Sequence, residues 1–489
     1  MNEIKTISKG AFWLLVGFGA SKLATLAFRV ISARLFGVEV YGNFVVSFTL
    51  FSAISLISVF GLPLAMEYFF PRVKRSLAKG ILLESLMVST LISVALSSVL
   101  VLFFSYVVEL FNVTDPSMLL IFLLITPIGA VSEILASVFR AYKNMKWEVL
   151  YKRVLPQVGV VVFLVLFSFL KLRSISIALS FALSYLLAAG VMFFVIRSSV
   201  FHDVRARRFN VIKLLGYAVP VSLSLMMMFL MVWEDNLIIS YFLGPSAAGL
   251  YGSAAPISQF LILPASMFSV ILLPVLSGIT AGSKRARFVK VLSFSARWTL
   301  MLSLLFAIPI MIFSKLVLSL LFGSTFIGAS TALSILAIGY VLFGLSQIFG
   351  RVLMSYNKPN LYMLTTVISV IANFVLNILL VPVLGINGAA VGTFSSMFIL
   401  LVLTYLFVRF ACNVTISDRR LFVGLLILII LSVLLYIASH ISVNVVSVLV
   451  LAVLYFVSFF ALLYILRVLT DEEIEMLKLL FARLNRKRY

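Results

Sequence analysis

The sequence predicts an all-α protein that crosses a membrane many times, because apolar residues dominate it and recur in runs of membrane-spanning length. Hydrophobic residues make up 63% of the 489 residues and charged residues only 11%, which is more apolar surface than a soluble globular chain needs. The mean hydropathy is +1.22. A helix needs roughly 20 apolar residues to cross the hydrocarbon core. Fourteen runs close to this length occur, at 10–33, 41–66, 81–106, 117–139, 154–170, 175–196, 211–242, 247–279, 291–313, 326–350, 361–382, 386–408, 421–439 and 444–466.

The distribution of the basic residues predicts the orientation of these helices. The formal net charge is +22, but most of the Lys and Arg residues lie at the ends of the chain and in the even-numbered connections. The odd-numbered connections hold only Arg34, Lys171, Arg173 and Lys315. This bias follows the positive-inside rule, so we expect a protein of the cell membrane with both termini in the cytoplasm. The basic loops then contact lipid headgroups of the bilayer, and nucleic acid is not expected as a partner.

Two pairs of similar segments indicate an internal duplication. RLFGVEVYGNF (34–44) and YFLGPSAAGLYGSA (241–254) each pass from an apolar run through a Gly and a Tyr-Gly pair into the next run. FRAYKNMKWEVLYK (139–152) and RVLMSYNKPNLYML (351–364) form a second pair at a similar offset. Duplicated membrane halves are typical of transporters, in which two bundles rock about a shared midline site. The similar segments alone leave open whether the spans divide as six, two and six or as seven and seven.

Residues 214–277 resemble the centre of the polysaccharide flippases, which belong to the multidrug/oligosaccharidyl-lipid/polysaccharide exporter superfamily. Three further segments extend the resemblance over essentially the whole chain: SARLFGVEVYGNF (32–44), LMSYNKPN (353–360) and NFVLNILLVPVLGINGAAVGTFSS (373–396). No single segment is specific, but their order and spacing are fairly so.

The resemblance implies about fourteen transmembrane helices in two pseudo-symmetric six-helix lobes plus two C-terminal helices, arranged as a V around a central cavity. It implies an N-terminal lobe (1–197), a cytoplasmic linker (198–210), a C-terminal lobe (211–410) and two additional helices (411–469). Apolar residues at helical spacing and a final basic run predict that 470–489 forms a basic amphipathic tail, which lies on the inner leaflet or simply caps the fold.

Cations within the predicted spans are candidates for binding an anionic substrate. Lys22 and Arg29 are seven residues apart in the first span, and therefore lie on nearly the same helical face. A cation in a membrane helix usually faces a cavity or a partner, and here it would attract the phosphate or diphosphate of a lipid carrier. Arg29 would alternatively extend to the outer interface. Arg297 in the ninth span is a third candidate, unless it pairs with Glu234 or Asp235.

Three more residues near the predicted cytoplasmic ends are candidates for substrate binding. Arg140 and Arg351 occupy matching positions of the duplicated segments and would admit an anionic headgroup, although topology alone explains them equally well. Glu133 is a further candidate for the cavity surface. Glu67 is interpreted as forming a local ion pair with the nearby Arg72 or Lys74.

Comparison with the lipid II flippases of the superfamily indicates a different cargo. The resemblance aligns Lys22 with a basic residue of their first helix, but the arginine that follows six residues later is Phe28 here, with Arg29 next to it. The apolar stretch of the second span also contains no arginine. These departures disfavour a peptidoglycan precursor as the cargo.

A second constellation, in the other half, is a candidate cation-coupling site. Asp235 lies in the seventh span, Asn373 and Asn377 are i,i+4 on one face of the eleventh, and Thr393 lies in the twelfth. Such oxygen ligands suit a small hard cation. The resemblance to lipid II flippases implies a sodium site that also uses the carbonyl of Ala389. Asn377 stands where those flippases have a second carboxylate, so a proton on Asp235 and a purely structural network remain alternatives.

The leading interpretation is a transporter without enzyme activity, which flips a polyprenyl-linked glycan from the cytoplasmic to the outer leaflet by alternating access. We expect no cofactor beyond Na⁺ or H⁺ as coupling ion, a monomer, and polysaccharide-assembly enzymes as partners. A cation-coupled multidrug antiporter of the same superfamily is the alternative, and the charge of the cavity distinguishes the two. A glycan polymerase, ligase or glycosyltransferase is a remote alternative, because the outward connections are short and poor in acids. A scramblase is a further possibility.

Overall fold

The computed structural model describes residues 2–202, 204–280, 285–414, 418–440 and 445–469. For residues 2–18, 211, 220, 221, 223–225, 270, 271, 274 and 277–280 only the helical backbone is described. The predicted amphipathic tail, 470–489, lies outside the described residues.

Eighteen α-helices cover most of the described part of the chain, in which no β-strand occurs. They are α1 (Asn2–Val59), α2 (Leu62–Phe69), α3 (Arg75–Leu102), α4 (Phe104–Leu110), α5 (Pro116–Ala141), α6 (Met145–Glu148), α7 (Leu155–Phe169), α8 (Ile175–Val195), α9 (Val211–Leu243), α10 (Pro245–Gln259), α11 (Leu263–Thr280), α12 (Arg285–Ile312), α13 (Ser314–Leu321), α14 (Ser330–Ser355), α15 (Pro359–Leu384), α16 (Ile386–Ala411), α17 (Arg419–Ser439) and α18 (Val445–Ile465). Short 3-10 turns occur at Phe70–Arg72, Phe260–Ile262 and Ser324–Ala329, and π-helical turns at Val149–Val154 and Ile196–Val200.

Twelve helical segments of the described residues are long and apolar enough to cross a membrane, which confirms the predicted all-α membrane fold. The predicted count of fourteen is approximate, for two structural reasons. The first two predicted spans run together in α1, which bends at Gly37, where φ is 79° and ψ is −179°. The predicted span 247–279 corresponds to α10 and α11, which the 3-10 turn Phe260–Ile262 separates.

The chain divides into two compact units. The first comprises Met1–Pro256, Leu318–Ala332 and Thr366–Ser396, and the second comprises Ile257–Val317, Leu333–Thr365 and Met397–Tyr489. Both units therefore take segments from distant parts of the sequence. The predicted boundaries of the two lobes, the linker and the C-terminal helices stay predictions.

An aromatic core holds α1, α5 and α8 of the first unit together. Phe28 and Phe44 of α1, Phe122 of α5 and Phe181 of α8 are all buried. The ring of Phe181 lies 5.0 Å from that of Phe28, 5.6 Å from that of Phe44 and 5.4 Å from that of Phe122, measured between centroids. Such aromatic pairs contribute about 0.5–1.5 kcal/mol each beyond the apolar area that they bury.

The two Tyr-Gly segments of the duplication pack against each other in the first unit. A Cβ on Gly42 of α1 would collide with the carbonyl of Pro245, and a Cβ on Gly249 of α10 would collide with the carbonyl of Val38. Glycine at both positions therefore lets the two backbones approach closely. We call this contact of α1 with α10 the Tyr-Gly seam.

The second unit has its own apolar core and cavity. Residues of α12, α17 and α18 form one buried cluster, and Gly424 of α17 lies against the side chain of Met301. An apolar cavity of about 340 Å³ lies beside Ala296, between α12, α14, α16 and α17.

Candidate functional site

Asp235 lies at the centre of a buried polar cluster in the first unit. Its side chain is 2% exposed and accepts hydrogen bonds from four side chains on three other helices. Thr393 Oγ1 of α16 donates to Asp235 Oδ2 over 2.7 Å, and the hydroxyl of Tyr251 on α10 donates to the same oxygen. The amide nitrogens of Asn377 and Asn373 on α15 donate to Asp235 Oδ1 over 2.6 Å and 3.2 Å. The structure thus brings together Asp235, Asn373, Asn377 and Thr393 of the predicted cation site.

The two asparagines of this cluster each leave an amide oxygen without a partner. Asn373 Oδ1 and Asn377 Oδ1 are buried and accept no hydrogen bond from any described residue. A buried polar atom without a partner costs about 1–3 kcal/mol. Gly392 of α16 permits this arrangement, because a Cβ there would collide with Asn377 Oδ1. The cluster therefore holds oxygen atoms that are available to a ligand.

Two residues of the cluster were missed by the sequence analysis as site residues. Glu234 is 6% exposed, and its Oε1 accepts a hydrogen bond over 3.0 Å from the same Asn373 nitrogen that binds Asp235. Tyr251 belongs to a duplicated segment, which was interpreted only as a sign of the repeat. Ala389 is fully buried one helical turn before Thr393, and the role of its carbonyl stays a prediction.

Arg140, at the end of α5, is surrounded by three carboxylates. Its Nε lies 2.6 Å from Glu67 Oε1, its Nη2 lies 3.2 Å from Glu133 Oε1, and its Nη1 lies 3.6 Å from Glu148 Oε1. The charge of Arg140 is therefore offset within the protein. An anionic headgroup that binds Arg140 has to compete with these carboxylates.

The position of Glu67 corrects one interpretation of the sequence. Glu67 was expected to pair with Arg72 or Lys74, but its ion pair is with Arg140, because α2 packs against α5. The guanidinium of Arg72 lies instead over the ring of Tyr68, 3.9 Å from its centroid. Glu67 thus pairs with an arginine of another helix and not with the basic residues that follow it in the sequence.

Glu133 is bound at both of its carboxylate oxygens. Arg140 binds Oε1, and Lys152 Nζ lies 3.0 Å from Oε2. Lys152 and Arg153 belong to the π-helical turn Val149–Val154, and Arg153 Nε lies 3.1 Å from Glu148 Oε1. A π-helical turn inside a helix is frequent at functional sites. Lys152 and Arg153 were counted among the basic loop residues, and only the tertiary structure shows that they join Glu133 and Arg140.

Lys22 and Arg29 lie on one helix but in different surroundings. The side chain of Lys22 is exposed, and it lies within electrostatic range of Arg29 and Arg153. Arg29 is 6% exposed, and its Nη1 donates to the carbonyl of Gly252 and the hydroxyl of Tyr41, both over 3.3 Å. Arg29 is therefore turned into the first unit.

Aromatic rings complete the surroundings of Arg29. Its guanidinium carbon lies 5.9 Å from the ring centroid of Phe44 and 5.8 Å from that of Trp233. No carboxylate of the described residues forms an ion pair with it. Among the described residues, ring faces, a hydroxyl and a carbonyl oxygen compensate its charge.

The remaining two candidates lie in the second unit. Arg297 is 4% exposed, and its Nη1 lies 3.4 Å from Asp418 Oδ2, at the start of α17. Arg351, the counterpart of Arg140 in the duplication, has a buried Nε without a hydrogen-bond partner among the described residues. Its Nη1 contacts Met354 Sδ at 3.8 Å. The two matching arginines thus differ, since only Arg140 is held by carboxylates.

Two curated relatives resemble this chain. A probable low-salt glycan biosynthesis flippase of Haloferax volcanii is 34% identical over 161 residues, which are 33% of this chain and 34% of the relative. The match thus spans about a third of the length of that relative. An uncharacterized membrane protein of Methanocaldococcus jannaschii is 25% identical over 422 residues, which are 80% of this chain and 82% of the relative.

Two solved structures show the same fold. The lipid II flippase MurJ in an inward closed conformation aligns with a TM-score of 0.76 at 16% identity, over 92% of this chain and 98% of MurJ. A multidrug resistance MATE family transporter in an inward-facing conformation aligns with a TM-score of 0.68 at 15% identity, over 80% of this chain and 94% of the transporter.

Two family descriptions match the sequence directly. The description "Polysaccharide biosynthesis protein" matches residues 7–280, which is more than half of the chain, and MatE matches residues 220–379. The named relatives and structures with a stated activity are flippases and transporters rather than enzymes, in agreement with the expectation from the sequence. The chain therefore belongs to the polysaccharide biosynthesis protein family, with the multi-pass membrane fold that MurJ and the MATE transporters share.

Proposed function

We propose that the protein flips a lipid-linked oligosaccharide from the inner to the outer leaflet of the cell membrane by alternating access. The observation that carries this proposal is the group of cations within the first unit. Lys22 is exposed, and Arg29 is buried in the same helix without a carboxylate partner in the part of the chain that the structure describes. The described function of the Haloferax volcanii relative, a probable glycan flippase, supports it.

The chemistry of such a substrate fits these residues. Its phosphate or diphosphate carries the charge that Lys and Arg bind through short charge-assisted hydrogen bonds. A cation inside a membrane protein is costly when no described carboxylate pairs with it, and such a residue usually faces a ligand or a pathway. The isoprenoid chain of the carrier would stay in the bilayer while the headgroup crosses. The proposal includes both termini in the cytoplasm and assembly enzymes as partners.

We further propose that the Asp235 cluster binds the cation that drives transport. Asp235 supplies a carboxylate, and Tyr251 and Thr393 supply hydroxyl oxygens. Asn373 and Asn377 supply the two amide oxygens that have no hydrogen-bond partner among the described residues. These are the oxygen ligands that a small hard cation prefers. Bound sodium would neutralise the Asp235 carboxylate and compete with the hydrogen bonds that this carboxylate now accepts.

The ligands of the cluster suit a monovalent ion, because neutral oxygens outnumber carboxylates among them. Among the described residues no group of three or more His, Cys, Asp or Glu side chains gathers that would hold a metal. Asp235 and the neighbouring Glu234 are the two acids of the cluster, and neutral oxygens complete it. A proton on Asp235 is the alternative coupling ion, and it needs no rearrangement of the asparagines.

A liposome assay tests both parts of the proposal. Purified protein is reconstituted with a fluorescent lipid-linked oligosaccharide, and flipping is measured by the accessibility of the fluorophore to an impermeant quencher. We expect Lys22→Ala to lower the rate roughly tenfold, as loss of a charged hydrogen bond does. Asp235→Asn should remove the dependence of the rate on a sodium or proton gradient. Equal rates for protein-containing and protein-free liposomes would contradict the proposal.

A cation-coupled drug antiporter is the second candidate function, because two buried carboxylates, Glu234 and Asp235, are adjacent. An acidic site of this kind suits an organic cation. Uptake of ethidium into the same liposomes under a proton or sodium gradient distinguishes the two functions. We expect no uptake above that of protein-free liposomes, since Lys22 and Arg29 repel a cationic substrate.

A further inference from the structure

We propose that Lys152 and Arg140 form a diphosphate-binding subsite, and that Glu133 is the internal counter-ion that the lipid headgroup replaces there. The inference rests on the proposed function and adds to it the residues that hold the diphosphate. It assigns Lys152 to the substrate site, although its position in a basic connection between two predicted spans gave no sign of this role.

Glu133 lies between two cations that could also bind the oxygens of a diphosphate. Its two oxygens are held by two different cations, Lys152 Nζ at 3.0 Å and Arg140 Nη2 at 3.2 Å. Phosphate oxygens form the same short charge-assisted contacts with Lys and Arg. A headgroup at this place therefore keeps both cations bound while Glu133 leaves.

Exposure identifies Glu133 as the carboxylate that can leave. Its side chain is 35% exposed, against 28% for Glu67 and 0% for Glu148. Lys152 and Arg140 are each 19% exposed, so both side chains keep some surface that a ligand can contact. Glu148 is buried and pairs with both Arg140 and Arg153. These ion pairs would hold the two arginines in position during the exchange.

The charge balance favours an exchange over an empty subsite. Glu67, Glu133 and Glu148 offset Arg140, Lys152 and Arg153 one for one in the network of ion pairs. When Glu133 swings out, one positive charge is left uncompensated within a membrane helix bundle, which is costly. The exposed Lys22, within electrostatic range of Arg153, adds to the attraction for an anion. A diphosphate supplies negative charge in place of the departed carboxylate.

The local backbone and an aromatic ring hold Lys152 in position. It belongs to the π-helical turn Val149–Val154, and its Nζ lies 5.8 Å from the ring centroid of Tyr185 on α8. The cation–π contact keeps the ammonium group in place without offsetting its charge fully. The return of Glu133 to Lys152 would then help to release the headgroup, so that binding does not become too tight for turnover.

Binding of farnesyl diphosphate to the full chain in nanodiscs tests the inference, with farnesol as the neutral control. We expect Lys152→Ala to weaken binding roughly tenfold or more, since a charged contact is lost. Glu133→Gln should tighten binding several-fold, because the competing carboxylate is removed while the side-chain size is kept. A purely structural Glu133 would give weaker or unchanged binding. The matched controls are Lys213→Ala and Glu109→Gln, which change the same charges at exposed positions outside the network.

Thermal unfolding of each variant shows whether it is folded, and Glu133→Asp serves as a second variant with a shorter reach to Lys152. We expect Glu133→Asp to tighten binding as well, to a smaller extent. Unchanged or weaker binding in folded Glu133→Gln and Glu133→Asp would overturn the inference. If wild-type protein prefers farnesyl diphosphate to farnesol and all network variants bind the diphosphate as tightly as wild type, this inference alone is contradicted. Wild-type protein that binds farnesyl diphosphate no better than farnesol would contradict the proposed function itself.

Discussion

Asp235 accepts four hydrogen bonds in a site that is almost completely buried. Two amide N–H groups and two hydroxyl groups donate to the carboxylate. Such donors stabilise an anion without a bound cation. A bound cation needs oxygen atoms in the same place. Asn373 and Asn377 each supply such an oxygen, because their amide oxygens accept no hydrogen bond from any described residue. Coupling at this site would therefore be a competition between hydrogen-bond donors and an ion.

Asn377, for which the resemblance to lipid II flippases implied a carboxylate, makes this competition testable. Asn377→Asp adds a further carboxylate to the cluster that already holds Asp235 and Glu234, and affinity for a hard cation rises with the number of charged ligands. We expect the sodium concentration that half-saturates the thermal stabilisation of the protein to fall roughly tenfold, because a ligand that binds only the folded state stabilises it. Melting curves in sodium chloride and choline chloride measure this.

Two further variants control the sodium experiment. Asp235→Asn should show no sodium-dependent stabilisation, because the carboxylate is lost. Asn387→Asp adds the same charge on α16 but outside the cluster, and it should behave as wild type. If Asn377→Asp responds to sodium as wild type does, the cluster is structural or binds a proton.

Cys412 is the one cysteine of the chain, and it is buried at 8% exposure. Burial raises the pKa of the Cys412 thiol, so less of the reactive thiolate is present at neutral pH. We expect a maleimide to label the native protein at pH 7 at least roughly tenfold more slowly than the protein unfolded in dodecyl sulfate. Labelling should accelerate as the pH rises. Equally fast labelling of the native and unfolded protein would show that Cys412 is accessible.

The Tyr-Gly seam is a close backbone approach between the duplicated segments. Gly42 and Gly249 face backbone atoms of the opposite helix, and backbone cannot yield as a flexible side chain does. The hydroxyl of Tyr41 also donates to the carbonyl of Gly252 over 3.0 Å. The glycines are therefore required by the contact of α1 with α10 and not by the conformation of either helix alone.

Gly249→Ala tests this requirement against helix propensity. Alanine stabilises a helix by about 0.8–1.0 kcal/mol relative to glycine, whereas overpacking a close contact costs about 1–3 kcal/mol. The Cβ at 249 meets the carbonyl of Val38, so we expect net destabilisation, measured as a lower melting temperature in detergent. Gly190→Ala on α8 is the matched control, because nothing lies within 4 Å of its Cβ. It should melt at the wild-type temperature or above, and an equal loss in both variants would contradict the role of the seam.

The spans were predictable from the sequence because runs of apolar residues of bilayer length report helices directly. The resemblance also implied a group of four residues that lie together in the structure, namely Asp235, Asn373, Asn377 and Thr393. Tyr251 and Lys152 were not predicted as site residues, because each joins its cluster through the packing of helices that are distant in sequence. Glu67 was assigned the wrong partner for the same reason. Spacing along one helix reveals its faces, whereas the partner of a charged side chain depends on which helix packs there.

The orientation of the protein in the membrane depends on its charged loops. Lys143 lies in an exposed turn between α5 and α6, on the side predicted to be cytoplasmic. Lys171 lies in the exposed turn between α7 and α8, on the side predicted to face outward. The positive-inside rule derives this assignment from the number of Lys and Arg residues in all the short connections together, so a single loop does not decide it.

Single cysteines at these two positions test the orientation in cells. In a Cys412→Ser background, we expect Lys171→Cys to react with a membrane-impermeant maleimide added to intact cells, and Lys143→Cys to react only after permeabilisation. Both positions are exposed, so a difference in labelling reports the side of the membrane and not burial. Labelling of each variant after permeabilisation is the control for reactivity. The reverse pattern would place the termini outside the cell, and the headgroup would then meet the Lys152 subsite from the outer side. Because lipid-linked glycans are loaded at the cytoplasmic face in the proposed direction of transport, that result would require import or release at this subsite instead.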